Sequence, residues 1–559
     1  MTTFPLSPSP NGRYLVDAVG SPFLMAATAS WDAHMNLSRS DWQSYLSHLS
    51  GIGVNAVFTY LANPVTYMDG SMCPWAVYLG GSSAGVSALP FTKNKSGGTW
   101  DGDPTFTNFD ADFAFPNDSW FAMVAQFVDD CRAEGILCLL AFCYLGYNSG
   151  VGDGWYQTLI NSANTSAVCT GFGTYLANGH GSFTGFATRP NIIWIAGGDA
   201  LPANGSTAAT RSLDILQGLQ ANGANQPVGH HWQNNYLPND QTDFKNYLTT
   251  YCSYTHGNSG GSPPTPGPSY PEGLAIYETE SPTRPAYLIE TTYWGDGGLN
   301  RADIRYYEWG SVLACIGGTS WDFSPLWGFP NAGGTNSSAT TVSVSWQPST
   351  HYNLSQYIQN SSKWYTCVQS GTTASSGGPT GTGSNITDGS AKWDYAASVS
   401  TTMGGVANLL GLPSENDYGV LIGFCSGINW YKLTPANNGS VPVLITVGQG
   451  TYATWSDGNE PSNNMDWIVS AADPSGVLLV AYIPTGRSGT FSVDMAAMSG
   501  ISTAHWIDPT TGVKTSAGTG LHNSGSHSFT TPGTNSGGDT DWVLFITAPA
   551  SNCNYFGTD

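Results

Sequence analysis

The sequence predicts a (β/α)8 TIM barrel followed by a small β module and a C-terminal antiparallel β-sandwich, and three observations carry that expectation. Short apolar runs alternate with amphipathic stretches as far as residue 340, where the helical period gives way to a Thr, Ser and Gly-rich stretch studded with aromatics. From residue 441 the pattern is short alternating strands punctuated by Gly, Pro, Asp and Asn turns. Strand–helix alternation is the signature of a parallel barrel, whereas closely spaced alternating strands pair antiparallel into a sandwich.

Taken in order, the candidate barrel strands are 23–29, 54–60, 136–142, 192–196, 227–230, 250–254, 286–289 and 315–320. Helix 40–49 places Trp42, Tyr45, Leu46 and Leu49 on one face; helix 119–133 does the same with Phe121, Val124, Ala125 and Val128, and Gly135 stops it. The helical signal is weaker between the fourth and seventh strands. The stretch that follows carries Trp346, Tyr352, Tyr357, Trp364, Tyr365 and Trp393, too many aromatics for a flexible linker. The division is therefore 1–340 for the barrel, 341–396 for the module, 397–440 for a helical connection and 441–559 for the sandwich.

Composition narrows the function classes. A chain of 559 residues has room for two or three domains, and 40% hydrophobic content argues against disorder. Thirty-eight acidic against 16 basic side chains give a net charge of -22 and leave no basic stripe for a phosphate backbone, so nucleic acid is not an expected partner. A neutral or weakly charged glycan is compatible; a strongly anionic polymer would need a local basic exception. The N-terminal residues show neither a basic region nor an apolar core of the Sec type, and no run reaches transmembrane length, so neither a Sec signal nor a membrane partner is expected. The ten cysteines contain no C-x-x-C pair and read mostly as buried thiols.

Two carboxylates stand where a barrel keeps its chemistry, at the carboxyl ends of apolar runs. Asp199 closes Asn191-Ile-Ile-Trp-Ile-Ala-Gly-Gly-Asp, and Glu290 closes Ala286-Tyr-Leu-Ile-Glu. Such a pair, in a chain with 20 Trp, points to glycosidic bond hydrolysis, which needs one carboxyl group to protonate the leaving oxygen and another to attack or to activate water. The structural alternative for Asp199 is a helix or turn cap. Glu278 and Glu280 read as solvated loop residues, and Asp296 and Glu308 as helix charges or supporting partners. Trp31, Trp232, Trp294 and Trp321 follow predicted strands and are either sugar-stacking platforms or core; His34, His230 and His231 are either hydroxyl partners or structural. Two G-x-S-x-G matches, at 81–85 and 257–261, precede no credible helix, and no P-loop, H-E-x-x-H or zinc spacing occurs, so no cofactor and no catalytic metal are expected.

The stretches Phe23-Leu-Met-Ala-Ala-Thr-Ala-Ser-Trp31, Gly53-Val-Asn-Ala-Val57, Arg189-Pro-Asn-Ile-Ile-Trp-Ile-Ala-Gly-Gly-Asp199 and Leu288-Ile-Glu290 with Tyr293 resemble the apiosidase-like glycoside hydrolases, as does the segment from Arg305 to Gly318. The segments Val477-Leu-Leu-Val-Ala-Tyr-Ile-Pro484 and Trp506-Ile-Asp-Pro-Thr-Thr-Gly512 resemble that family's trailing sandwich domain. The resemblance implies that Asp199 is the acid/base and Glu290 the nucleophile of a retaining enzyme, with Tyr293 in the substrate site. The aromatic stretch 341–396 resembles small β modules of phage virion proteins. That implies a tail-associated depolymerase of a surface or cell-wall polysaccharide, with other virion proteins as partners and an oligomeric state. The rival expectation is a catalytically silent glycan-binding or structural virion protein on the same scaffold.

Overall fold

The computed structural model describes residues 2–37, 39–62, 89–100, 109–146, 154–255, 269–293, 301–322, 344–352, 357–361, 363–369, 371–398, 413–436, 441–453, 465–487 and 489–549. Both G-x-S-x-G matches, Trp294, Asp296, Cys73 and Cys553 lie outside them.

All eight predicted barrel strands are present: β1 Met25–Ala29, β2 Ala56–Tyr60, β3 Leu137–Ala141, β4 Ile192–Gly197, β5 Val228–His231, β6 Tyr251–Thr255, β7 Ala286–Thr291 and β8 Gly318–Ser320. Every residue in them is buried, as parallel strands with covered faces require. One parallel ladder runs β8-β1-β2-β3-β4-β5 and a second joins β6 to β7. Backbone bonds near the strands' amino ends stitch the two ladders into a ring: Thr249 and Thr250 N–H donate to Val228 O (2.8 and 3.0 Å), and Gly317 N–H donates to Ala286 O at 2.6 Å. The first predicted strand is divided, because Pro22–Phe23 leaves the barrel to pair with Leu15–Val16 in a small N-terminal sheet.

Helices α1 Arg39–Gly51, α2 Asp118–Ala133, α3 Ser166–Asn178, α4 Thr207–Ala221, α5 Ser269–Thr279 and α6 Arg301–Leu313 surround the ring. The predicted apolar faces of α1 and α2 are buried, and side-chain caps start the helices where the sequence allows: Asn117 for α2, Thr165 for α3 and Ser206 for α4. Between β5 and β6 the described residues contain only the 3-10 turn Pro238–Asp240, which accounts for the weak helical signal there. Glu278 is on α5 and not in a loop, whereas Glu280 lies just past the helix end.

The helix expected in the connection after the module is α7, Pro413–Ser426, and it completes the barrel. The Tyr418 hydroxyl donates to Ala27 O (3.2 Å) on β1 and Thr319 O (2.8 Å) on β8, while His48 of α1 lies 3.0 Å from Glu415. The aromatic module thus interrupts the last strand–helix unit and does not follow a finished barrel. Its five-stranded sheet runs from Val344–Ser345 to Ala391–Ser398 and packs on Tyr352, Ile358, Tyr365, Cys367, Trp393 and Tyr395.

The C-terminal unit has a six-stranded and a three-stranded sheet, both antiparallel, with inward side chains such as Ile483, Phe491, Trp506, Phe529 and Leu544 between them. It sits on α6. Trp309 stacks on Tyr482 with centroids 5.9 Å apart, and the buried Arg305 guanidinium bonds Asp417 of α7 and both Asp539 and Asp541 of the sandwich at 2.7–2.8 Å. Placing α6 between two cores is why nearly all of its residues are buried. The eight cysteines among the described residues are free thiols, seven of them buried and Cys315 partly exposed. No described helix is long and apolar enough to cross a membrane.

Candidate active site

The turn that carries Asp199 is built by the two glycines before it. Gly197, Gly198 and Asp199 have successive φ values of 88°, 100° and 53°, left-handed backbone that glycine adopts without steric cost. A Cβ on Gly197 would lie 2.5 Å from His231 O, and one on Gly198 would lie 2.3 Å from the Tyr144 ring. The chain can therefore press against β5 on one side and the loop after β3 on the other. Asp199 itself pays for a non-glycine left-handed conformation, a kind of strain found preferentially at functional positions. Its N–H donates to His231 Nδ1 at 3.0 Å, and its Oδ2 accepts from the Tyr144 hydroxyl at 2.7 Å. Its Oδ1 is buried and has no hydrogen-bond partner among the described residues. Helix α4 takes its cap from Ser206, so Asp199 is not a helix cap.

Glu290 lies within β7, at a register shift between Leu288 and Glu290 against β6. Such bulges re-aim a side chain beside active sites. Its carboxylate is 3% exposed. Oε1 accepts from Trp31 Nε1 at 3.0 Å and from the Tyr293 hydroxyl, and the same indole N–H also reaches Tyr293 Oη at 2.8 Å. On the other oxygen, His231 Nε2 sits 2.7 Å from Oε2, a close contact between imidazole and carboxylate.

His231, at the end of β5, stands between the two acids. Burial opposes charging of its imidazole, and the carboxylates of Asp199 and then Glu290 outweigh burial, so its pKa is raised. In the neutral ring, acceptance from Asp199 N–H at Nδ1 leaves the proton on Nε2, facing Glu290. One oxygen from each carboxylate and one His231 nitrogen all lie within 4.8 Å of one another.

The predicted substrate-site residues divide sharply. Trp31 and Tyr293 reach the site but direct their polar atoms at Glu290; Trp31 is 2% exposed. His231 belongs to the acid pair. His34 is a correction: it is wholly buried against Phe127, its ring pushed down to about 3 by desolvation, and it lies in the wall. His230 is another, since its Nε2 accepts from Cys252 N–H at 3.0 Å and so fills the β5–β6 seam where a backbone ladder is missing; burial and then the neighbouring His231 hold it down to about 3. Trp232 stacks on His230 and donates to Pro238 O, and Trp321 is fully buried after β8, so both are packing residues. Trp294 lies outside the described residues. Glu308 is buried in α6 near Asp417 and Tyr418 of α7, its pKa raised by desolvation and the charge of Asp417.

Sequence reasoning passed over Tyr144, Tyr60, Asp32 and Asp322. Tyr60 and Tyr144 form an aromatic cluster with Trp31, with centroids 5.1–5.5 Å apart, and the Tyr60 hydroxyl bonds Asp32. Asp322, two residues past β8, accepts from Ala29 N and Thr291 N (2.8 Å each) and Ser320 Oγ (2.9 Å), tying β1 to β7 beside the acid pair. Desolvation and then the charge of Glu290 push it up to about 7. The strand-end rule that found Asp199 and Glu290 would have found Tyr144 and Asp322 had it been applied to β3 and β8.

Comparison with known proteins agrees with the barrel fold. Residues 9–369 of the 559 match the family described as "Apiosidase-like, catalytic domain", and residues 456–547 match a model described as "Putative collagen-binding domain of a collagenase". No curated protein matches. Among solved structures, one titled "Glycoside hydrolase" superposes with a TM-score of 0.61 at 16% identity over 99% of both chains. A glycoside hydrolase family 5 protein from Bacteroides vulgatus gives 0.61 at 17% identity, covering 99% of this chain and 96% of that one. A putative glycoside hydrolase from the same organism gives 0.51 at 10%, covering 98% and 82%. The chain belongs to the apiosidase-like family and is a glycoside hydrolase with a barrel and a trailing β domain.

Proposed function

From membership of the apiosidase-like family, we propose that this chain hydrolyses a surface or cell-wall polysaccharide with retention of configuration, Asp199 acting as acid/base and Glu290 as nucleophile. One observation carries the reading. Each carboxylate has one oxygen tethered by hydroxyl or indole donors, Asp199 Oδ1 has no hydrogen-bond partner among the described residues, Glu290 Oε2 faces His231, and the two groups approach within 4.8 Å. Retaining glycosidases hold their carboxyl groups about 5–5.5 Å apart, whereas inverting ones need roughly 6.5–9.5 Å to admit water.

In the first step Glu290 Oε2 attacks the anomeric carbon while protonated Asp199 gives its proton to the departing glycosidic oxygen, yielding a glycosyl-enzyme and a free hydroxyl. In the second, carboxylate Asp199 takes a proton from water as that water displaces Glu290, which returns both acids to their starting states. Trp31 and Tyr293 hold Oε1 so that Oε2 presents itself, and Tyr144 holds Oδ2 so that Oδ1 faces the leaving group. The same proposal includes action from a phage tail or similar particle, for which the aromatic module is the support; proteomic detection of the chain in purified particles tests it. The test of the chemistry is reducing-sugar release from a polysaccharide panel, followed by NMR of the first anomer formed. Initial appearance of the inverted anomer rejects the assignment of Glu290 as nucleophile.

A further inference from the structure

On the opposite end of the barrel from the acid pair, a cavity of about 480 Å³ opens where the N-terminal sheet, the barrel floor and the sandwich meet. Cys315 lies just before β8 and Tyr277 at the end of α5, before β7, so the cavity is at the strands' amino ends. The six-residue β7, at ~3.3 Å per residue, separates it from the active site by about 20 Å. Its volume is in the range of small-ligand sites.

The walls pair aromatic faces with cations. Tyr14, Trp430 and Tyr431 are half-buried and mutually angled: Tyr14 to Trp430 is 5.8 Å at 72°, Tyr14 to Tyr431 is 5.4 Å at 47°, and Trp430 to Tyr431 is 6.0 Å at 89°. Across from them Arg13 lies over the Tyr277 ring at 3.9 Å and spends one Nη1 bond on Tyr277 O. That packing fixes the guanidinium in place with other N–H donors left over. Lys432 is exposed at the rim. In a chain with 16 basic and 38 acidic side chains, two cations converge here, and the carboxylate that accompanies them, Asp473, already accepts from Ser475 N and Oγ. This is the local basic exception that the overall composition lacks.

We propose that this cavity is a second glycan-binding site, separate from the catalytic centre, that takes a carboxylate-bearing (uronate) stretch of a polysaccharide. Tyr14, Trp430 and Tyr431 stack on sugar C–H faces, and Arg13 and Lys432 pair with the uronate. The choice of a sugar ligand rests on the hydrolase reading above; the site itself does not use Asp199 or Glu290. Its role is to keep the enzyme on a polymer whose next segment lies under the active face.

The test is isothermal titration calorimetry of the full chain with alginate hexasaccharide as the uronate probe and cellohexaose as the neutral one. Saturable alginate binding is expected, equal in wild type and Glu290→Gln, weakened about tenfold by Trp430→Ala and about threefold by Lys432→Met, and falling with added salt. Lys432 is exposed, so its variant reports binding even where Trp430→Ala perturbs folding. Absence of saturable alginate binding, equal affinity for cellohexaose, or binding indifferent to both cavity variants overturns the proposal. A Glu290→Gln enzyme that still hydrolyses polysaccharide overturns the catalytic assignment instead and leaves the cavity result standing.

Discussion

The indole N–H of Trp31, just past the first barrel strand, donates at 3.0 Å to Oε1 of Glu290 on the seventh, 259 residues away in sequence. Barrel closure puts the two strands within reach, and the bulge at Glu290 turns its carboxylate into line. The indole leaves Oε1 fixed and Oε2 available. Trp31→Phe keeps most of the ring packing and removes the donor, so kcat is expected to fall by about tenfold to a hundredfold with little change in KM, because a misaimed nucleophile costs mainly in the transition state. Steady-state kinetics check this; unchanged kcat would mean that Tyr293 alone positions the carboxylate.

Substituting the acids themselves separates catalysis from folding. Glu290→Gln and Asp199→Asn preserve volume, and each is expected to cost roughly two or more orders of magnitude in rate with small effect on stability. Glu290→Gln abolishes the glycosyl-enzyme. Asp199→Asn spares the first step for substrates with activated leaving groups and then accumulates the intermediate, visible by mass spectrometry of the intact protein. Full specific activity in the folded fraction of both variants would remove them from the mechanism.

The Tyr144 hydroxyl donates to Asp199, the proposed acid/base. Tyr144→Phe frees Asp199 Oδ2 and is expected to slow natural substrates with poor leaving groups by about tenfold while leaving activated aryl glycosides nearly unaffected in the first step. Measuring both substrate types in one variant checks this, since a general structural defect would slow both equally.

Stability should fall as pH rises above about 6.5. Glu272 and Asp322, both pushed up to about 7 mainly by burial, hold protons in the folded chain that the unfolded chain releases near pH 4, so their contribution is full at low pH and is lost as pH rises through 7. His34 and His230, held near 3 by burial, act in the opposite sense and lose their contribution as pH falls below 6.5. The two effects oppose one another between about pH 4 and 6.5, and above that range only the carboxyls remain. Melting temperature is expected to drop by about 2–5 °C from pH 6.5 to pH 8, and Glu272→Gln should flatten the slope. A flat profile in the wild type contradicts the buried-proton account.

The ion pairs between barrel and sandwich centre on Arg305. Arg305→Met would leave Asp539 and Asp541 without their guanidinium partner inside a closed interface, a loss of about 3–5 kcal/mol. Thermal unfolding should show a clear drop in midpoint. An unchanged midpoint would mean that Tyr482 and Asn535, which also bond Asp541, carry the charge alone.

Much of the barrel was legible because parallel strands buried on both faces are written as continuous apolar runs, as in Ile192 to Ala196, and because their carboxyl ends are where barrel side chains meet. Both acids followed from that rule. The aromatic and histidine assignments fared differently. Trp31, His34, His230, Trp232 and Trp321 all follow or end predicted strands, yet four of the five are wall or packing residues, and the fifth bonds Glu290. Period and composition place a residue on an element; they do not say whether its ring faces the barrel mouth, a helix or a gap in the ladder.

The amino-acid sequence by itself determined the barrel, the trailing sandwich and the position of Asp199 and Glu290, because apolar period, glycine pairs and turn residues act over a few neighbours. Tertiary structure alone decided which oxygen of each acid is tethered, since the donors Trp31, Tyr144 and Tyr293 come from three different strand ends. It also decided that α7 belongs to the barrel after an intervening module, and that Arg13, Trp430 and Lys432 line one cavity. These are contacts between residues tens to hundreds of positions apart, and a local pattern carries no record of which distant segment a closing ring will bring beside it.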